Sequence, residues 1–291
     1  MPSSALLISQ TFNGLVSGSL LALASVGLTI ILGTLGVLNL AHGALFMVGA
    51  YVAYVTLSTT GSYVLALIVT CVALLILGAV LERGLIRFFY QRPDEDQILL
   101  TFGIAFVVVE TARLIFGGIA KVTPTPAWGR GVYDLGFMIY PKYRIIAFGL
   151  TMVVLLLLYL VLYKTRVGLI VRAGIEDDLI VNILGINVDK TFLAVFAIGT
   201  MSAGLAGMIQ SPIVPATPDM GFRVLVDSFV VVVLGGLGSF GGAVFGGLLA
   251  GLIISITAAF NPGYSYVALF TAMAIVLIVR PQGLFGVAGR D

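Results

Sequence analysis

"GTLGVLNLAHGALFMVGAY", residues 33–51, lies within a run of 81 residues that contains no Asp, Glu, Lys or Arg. The stretch spends Asn39, the glycines Gly33, Gly36, Gly43 and Gly49, and the only histidine of the chain, His42. Polar groups are costly away from water, so such residues here mark a site, a turn or a segment that meets solvent. The surroundings decide which elements carry them. Further charge-free runs cover 145–163, 191–218 and 228–279. A helix needs roughly 20 apolar residues to cross the hydrocarbon core, whereas barrel strands would show short alternating segments. The stretch therefore begins at the join between two membrane-crossing helices and runs on into the second.

Composition agrees. The 291 residues are 60% hydrophobic and 10% charged, with a mean hydropathy of +1.16, against about 25% charged residues in a soluble domain. The expected fold is an all-α polytopic membrane helix bundle with interrupted Gly-rich helices, a single transmembrane domain over 1–291. Spans are expected near 11–32, 37–57, 63–85, 97–116, 143–163 and 191–211. A short apolar piece at 228–234, a longer one at 243–260 and a last span at 264–279 follow. That makes eight or nine crossings, according to whether the helix ending near Leu234 passes right through. The first basic residue is Arg83, so the first apolar run is read as a retained span rather than a cleaved leader.

Basic residues in short loops set orientation. Arg83, Arg87 and Arg92, then Lys164, Arg166, Arg172 and Lys190, then Arg280 and Arg290 are all placed inside. That puts 58–62, 117–142 and 212–222 outside. Nine crossings place the amino terminus outside, and eight place it inside. "LGTLG" (32–36) echoes "LGGLG" (234–238), as corresponding interrupted helices of a repeat would.

The 164–190 loop is the most informative polar piece. Glu176, Asp177 and Asp178 make an acidic first helical turn, Gly185 supplies a stop, and Leu179, Ile180, Ile183 and Leu184 share one apolar face. So short a helix cannot cross a bilayer. It either docks in a groove of a partner or lies along the membrane interface under its own bundle. In the fourth span Glu110 and Arg113 stand at i and i+3, close enough to pair. They either line the path or form a structural ion pair near the outer interface, with Arg113 snorkelling. Gly235, Gly236, Gly238, Gly241, Gly242, Gly246, Gly247 and Gly251 crowd a single stretch. Close helix packing and a broken helix compete there with direct contact to a solute through exposed backbone. Gly33 and Gly36 read as a break between two spans. Asn39 and His42, at i and i+3, are expected on one face of the next helix, where they satisfy broken backbone or, with Gly43, line a hydrated path.

What is missing narrows the function. There is no G-x-x-x-x-G-K-[ST] phosphate loop, so ATP hydrolysis through a Walker site is excluded. One histidine and one cysteine, Cys71, cannot build a protein-only zinc site of the usual kind. No acidic and histidine chain suits a proton relay, no basic patch suggests nucleic acid, and no motif ties a nucleophile to His42. No catalytic residue and no metal site are assigned.

"RAGIEDDLIVNILGINVDK" (172–190) resembles the cytoplasmic loop of LivH-like permease subunits of branched-chain amino-acid ABC importers. "GLVSGSLLALASVGLTIILG", "GVLNLAHGALFMVGAY", "LTFGIAFVVVETARLIFG", "VVVVLGGLGSFGGAVFGGLLAG" and "VRPQGLFG" resemble the same family in the same order. The resemblance implies that 164–190 is a coupling loop whose short helix seats in an ATPase subunit. Arg172, Ala173, Glu176, Asp177, Gly185, Ile186 and Asn187 fall on its motif positions. Ile180 and Val181 stand where the family commonly has alanines. It further implies a second homologous permease subunit, two ATP-binding subunits, an extracytoplasmic solute-binding protein and the bacterial inner membrane. ATP would be used by the partners, with no cofactor on this chain. The cargo would be a branched-chain or related amino acid, urea or a small carboxylate. The rival reading is a self-sufficient ion-coupled secondary transporter or channel, for which Glu110 alone is a poor supply of coupling groups.

Overall fold

The computed structural model describes residues 3–134, 136, 138–165, 168–169 and 188–286. Among these, nine α-helices run in chain order: α1 (Ser4–Leu35), α2 (His42–Thr60), α3 (Tyr63–Gly84), α4 (Asp94–Phe116), α5 (Lys142–Lys164), α6 (Val188–Gln210), α7 (Met220–Gly235), α8 (Phe240–Phe260) and α9 (Ser265–Val279). A small antiparallel hairpin, β1 (Val132–Asp134) and β2 (Ile139–Pro141), sits in the loop after α4, with Tyr133 opposite Tyr140.

Helix ends follow local chemistry. The Leu6 N–H donates to Ser3 Oγ, the Leu65 N–H to Ser62 Oγ and the Gly242 N–H to Ser239 Oγ, so α1, α3 and α8 each begin on a serine cap. Asp94, Glu95 and Asp96 fill the first turn of α4, where negative charge complements the helix dipole. Gly36 and Gly61, both at φ 66°, end α1 and α2 in the left-handed conformation, which costs glycine little.

Eight helical stretches among the described residues are long and apolar enough to cross a bilayer, the last of them Pro262–Val279, which is α9 together with the short helical turn that leads into it. The ninth, α7, has 16 residues, about 24 Å, short of a hydrocarbon core of about 30 Å. It nonetheless joins the two sides. Asp219, just before it, pairs with Arg113 at the end of α4, while its last carbonyls, of Leu234 and Gly235, accept N–H bonds from Leu284 and Phe285 beyond α9. The nine segments therefore alternate in direction. With the basic 83–92 segment and Arg280 inside, Ser4 begins on the outer side.

The layers follow from exposure. Within the most apolar window of each helix, 78% of α1 and 72% of α6 are buried, against 28% of α3 and α4 and 11% of α9. On α3, Val64, Ile68, Val72, Ile76 and Val80 are all exposed and recur every four residues, the stripe a lipid-facing helix shows. At the centre, α1 lies against α8 through small residues on both sides. A Cβ on Gly14 would meet the Gly251 carbonyl oxygen at 2.9 Å, one on Gly18 the Gly247 oxygen at 2.8 Å, and one on Gly247 the Ala22 Cα at 2.6 Å. The backbones are thus in direct contact along a small-xxx-small seam. Ser202 Oγ on α6 donates to the Leu23 carbonyl at 2.7 Å. At the outer ends Tyr143 donates to the Ile209 carbonyl at 2.9 Å, and its oxygen, 3.0 Å from that of Tyr63, accepts the Tyr63 proton. Helices α3, α5 and α6 are joined there.

Two outcomes check this arrangement. Gly247→Val should lower the thermal midpoint of the purified protein by the equivalent of at least about 1 kcal/mol, since overpacking meets backbone. Gly241→Ala, where nothing lies within 4 Å of the added Cβ, should stay within about 0.5 kcal/mol. In a Cys71→Ala background, an impermeant maleimide should label Thr60→Cys from outside intact cells and Arg87→Cys only after the inner face is opened. The reverse pattern would invert the orientation.

Candidate functional site

The chain does not turn directly from α1 into α2. After Gly36 it runs non-helically through residues 37–41, and Val37, Asn39 and Ala41 are buried. The first residue of α2, His42, has its Nε2 2.8 Å from the carbonyl of Ala24. Ala24 lies eleven residues, about 16 Å, before the end of α1. Helix α2 thus starts deep in the bundle, with irregular backbone leading into it, a feature tolerated at membrane depth only inside protein or beside water.

Several backbone groups of this break find partners. The Asn39 side-chain oxygen accepts the Ala41 N–H at 3.0 Å, and the Asn39 carbonyl accepts the His42 N–H at 3.2 Å. From α4, Thr101 Oγ1 accepts the Leu40 N–H at 3.2 Å and lies 3.0 Å from the Leu38 carbonyl and 2.9 Å from that of Gln97, either of which can take its proton. A carbonyl only accepts, so His42 Nε2 carries a proton and the ring is the Nε2–H tautomer or the cation. Among the described residues, His42 Nδ1 and Asn39 Nδ2 are buried without a partner.

This differs from the expected single helical face. Asn39 precedes α2 rather than lying on it, because its own side chain closes the turn that begins the helix. The break is at Gly36 alone. Gly33 is inside α1, where an added Cβ would lie 2.7 Å from the Gly238 Cα. The two echoing segments therefore touch. Gly43 is pressed against α7, with a Cβ there only 2.0 Å from the Gly221 oxygen.

At the end of α7, Gly236 (φ 103°) and Gly238 (φ 75°) turn the chain into α8, and a Cβ on Gly235 would lie 2.2 Å from the Gly242 oxygen. The Leu284 and Phe285 N–H groups cover the Leu234 and Gly235 carbonyls at 2.9 Å. The "VRPQGLFG" segment thus closes the broken helix, and the geometry at Gly235, Gly236 and Gly238 is that of packing. Glu110 and Arg113 pair at 3.3 Å, and Arg113 also reaches Asp219 at 2.8 Å. All three side chains are well exposed, so the pairs tie α4 to the loop before α7 with little energy. The expected ATPase-coupling residues Arg172, Ala173, Glu176, Asp177, Leu179, Ile180, Ile183, Leu184 and Gly185 lie outside the described residues.

One polar cluster escaped the reading of the sequence. Toward the outer ends of α1, α5, α6, α7, α8 and α9 a cavity of about 360 Å³ is lined by Asn13, Arg144, Gln210, Arg223, Asp227 and Tyr266, with Val16, Leu20 and Ile254 among its apolar walls. Asn13 Oδ1 accepts from the Tyr140 hydroxyl and from the Arg144 guanidinium. Burial pushes the Tyr140 hydroxyl above the usual phenol range against the pull of Arg144, so it remains a donor. Asp227 is 6% exposed. Its Oδ2 has only the Tyr266 hydroxyl at 3.5 Å, and its Oδ1 has no partner among the described residues. The signal was present: Arg223 and Asp227 stand at i and i+4 in an otherwise apolar helix. A larger cleft of about 630 Å³ between α3 and α4 is walled mostly by Leu, Val and Phe and offers few groups to orient a polar solute.

Comparison with known proteins gives a consistent picture. Residues 10–279 match the family described as branched-chain amino acid transport system / permease component. The chain is 29% identical to the high-affinity branched-chain amino acid transport system permease protein BraD of Pseudomonas aeruginosa, over 98% of both chains. It is 27% identical to the permease protein LivH of Escherichia coli K12, over 96% of this chain and 95% of that one. A probable branched-chain amino acid transport permease protein of Methanocaldococcus jannaschii is 29% identical over 94% of this chain and 91% of its own. No solved structure matches.

The break is testable through Thr101. Thr101→Val removes the group that serves both Leu38 and Leu40, and should cost about 1–3 kcal/mol in thermal unfolding. Thr101→Ser should restore most of it.

Proposed function

The chain belongs to the family of permease components of branched-chain amino acid transport systems, and we propose that it is the membrane-spanning permease subunit of an ATP-driven importer. Paired with a second, homologous permease, it forms the path for branched-chain or related amino acids across the bacterial cytoplasmic membrane. Two ATP-binding subunits dock on the inner side, and an extracytoplasmic solute-binding protein delivers cargo to the outer side. The observation that carries the reading is the match along nearly the whole length of proteins named for this transport, on a chain that is itself a multi-pass membrane bundle.

The division of labour follows from the residues. This chain has no phosphate-binding loop, so ATP is bound and hydrolysed by the partners. The 164–190 loop is assigned as the coupling element: its sequence sets Leu179, Ile180, Ile183 and Leu184 at helical spacing, the pattern of an apolar face that seats in a groove of an ATPase subunit. Closure of the ATPases on ATP moves that loop and, through α5 and α6 on either side of it, the bundle. A core held by backbone contact between helices transmits such a push as rigid bodies rather than absorbing it. No covalent chemistry is assigned to the chain. His42 is engaged by the Ala24 carbonyl and serves to hold the start of α2.

The coupling role is tested by placing a carboxylate on the docking face. Ile183→Glu should leave the chain inserted in the membrane but abolish its co-purification with the ATPase subunits and lower ATP-driven uptake by about tenfold or more, as a buried unpaired charge demands. Unchanged assembly and uptake would contradict it.

A further inference from the structure

The cavity lined by Arg223, Asp227 and Arg144 holds charges of both signs, and among the described residues no ion pair brings them into contact. Arg223 and Asp227 lie one turn apart on α7, with Cβ atoms about 6 Å apart, yet no ion pair among the described residues joins them. Asp227 is buried, and its Oδ1 has no partner among the described residues. An unpaired buried acceptor costs about 1–3 kcal/mol, more when charged. A ligand that brings the missing donor offsets that cost. Arg144, on the facing wall, is held by Asn13, which is itself fixed by the Tyr140 hydroxyl.

We infer that this cavity binds the zwitterionic head of an α-amino acid, with the ammonium on Asp227 and the carboxylate between Arg223 and Arg144. The inference rests on the importer reading and deepens it by giving the cargo an outer site on this subunit. Three features fit that occupant. An α-amino acid carries its cation and anion on one carbon, so a single molecule spans the gap between Asp227 and Arg223, and neither a simple amine nor a simple carboxylate does. The volume of about 360 Å³ falls at the small end of the range for small-molecule sites, about 300–1,000 Å³. Val16, Leu20, Ile213, Val224 and Ile254 supply apolar wall that suits an aliphatic side chain. Beyond Asp227, Arg223 and Arg144 the polar lining, Asn13, Ser17, Gln210 and Tyr266, carries no second charged group to pair with a charged side chain of the cargo. The cavity lies at the outer ends of the helices, where Arg144 is the third residue of α5, Gln210 the last of α6 and Tyr266 the second of α9.

The test is equilibrium binding to the assembled importer in nanodiscs, without the binding protein. The probes are labelled L-leucine and, as competitors, isopentylamine (no carboxylate), 4-methylpentanoate (no ammonium) and L-lysine. The wild-type complex should bind leucine, with the three competitors displacing it only weakly. Asp227→Asn should raise the leucine Kd about tenfold or more and remove the preference for leucine over 4-methylpentanoate. Arg223→Gln should raise it similarly and remove the preference over isopentylamine. The exposed Arg223 keeps the test decisive if the Asp227 variant fails to assemble. An unchanged leucine Kd and unchanged competition in Arg223→Gln would overturn the assignment. So would a wild-type complex that imports leucine with ATP but shows no leucine binding here, an outcome that leaves the importer reading standing. A complex with no ATP-driven import at all would instead sink that reading.

Discussion

The whole bundle depends on helices pressed together at their backbones. In lipid, apolar side chains gain little by facing one another, and close packing together with satisfied polar groups decides association. Glycine and alanine supply that packing here. The seam of Gly14, Gly18 and Ala22 against Gly247 and Gly251 fixes α1 on α8. Gly27 against Gly199, Gly49 against Gly204 and Gly43 against Gly221 bring α6 onto α1 and α2, and α7 onto α2. At each of these contacts an added Cβ would fall under 3 Å from main-chain atoms. A core so defined has few intermediate positions, which suits a subunit that must pass a movement from one side of the membrane to the other.

The same constraint explains the polar residues. A helix start placed mid-bundle exposes N–H and C=O groups that water cannot reach. Asn39, Thr101 and His42 take up that deficit, each from a different element: the turn itself, α4, and α2 reaching back to α1. At the other break the C-terminal carbonyls of α7 are covered by the segment after α9. These backbone groups are taken up within the chain. The outer cavity is different, since there a buried carboxylate and a guanidinium on the same helix are left facing open space.

Much of this was legible in the sequence. Charge-free runs located the crossings, because a bilayer demands length and apolarity together. The crowded glycines marked close packing. The short α7 was harder to place: its apolar core over 228–234 hid the fact that Arg223 and Asp227 belong to the same helix. Gly33 misled because glycine serves both to end a helix and to admit a neighbour, and only the partner Gly238 distinguishes the two. Asn39 misled in a related way, since a residue three before a histidine shares its face only if the helix has already begun. Asp227, Arg144 and Asn13 come from three distant helices, and no local pattern brings them together.

The central claim is that this chain works as the passive half of an ATP-driven machine. It is tested most directly by uptake of labelled L-leucine into proteoliposomes carrying the complete importer and its binding protein, compared with proteoliposomes carrying this chain alone. The account predicts accumulation that requires ATP on the ATPase side, persists when ionophores collapse all ion gradients, and is absent for the isolated chain. Accumulation driven by an ion gradient through this chain alone would contradict it.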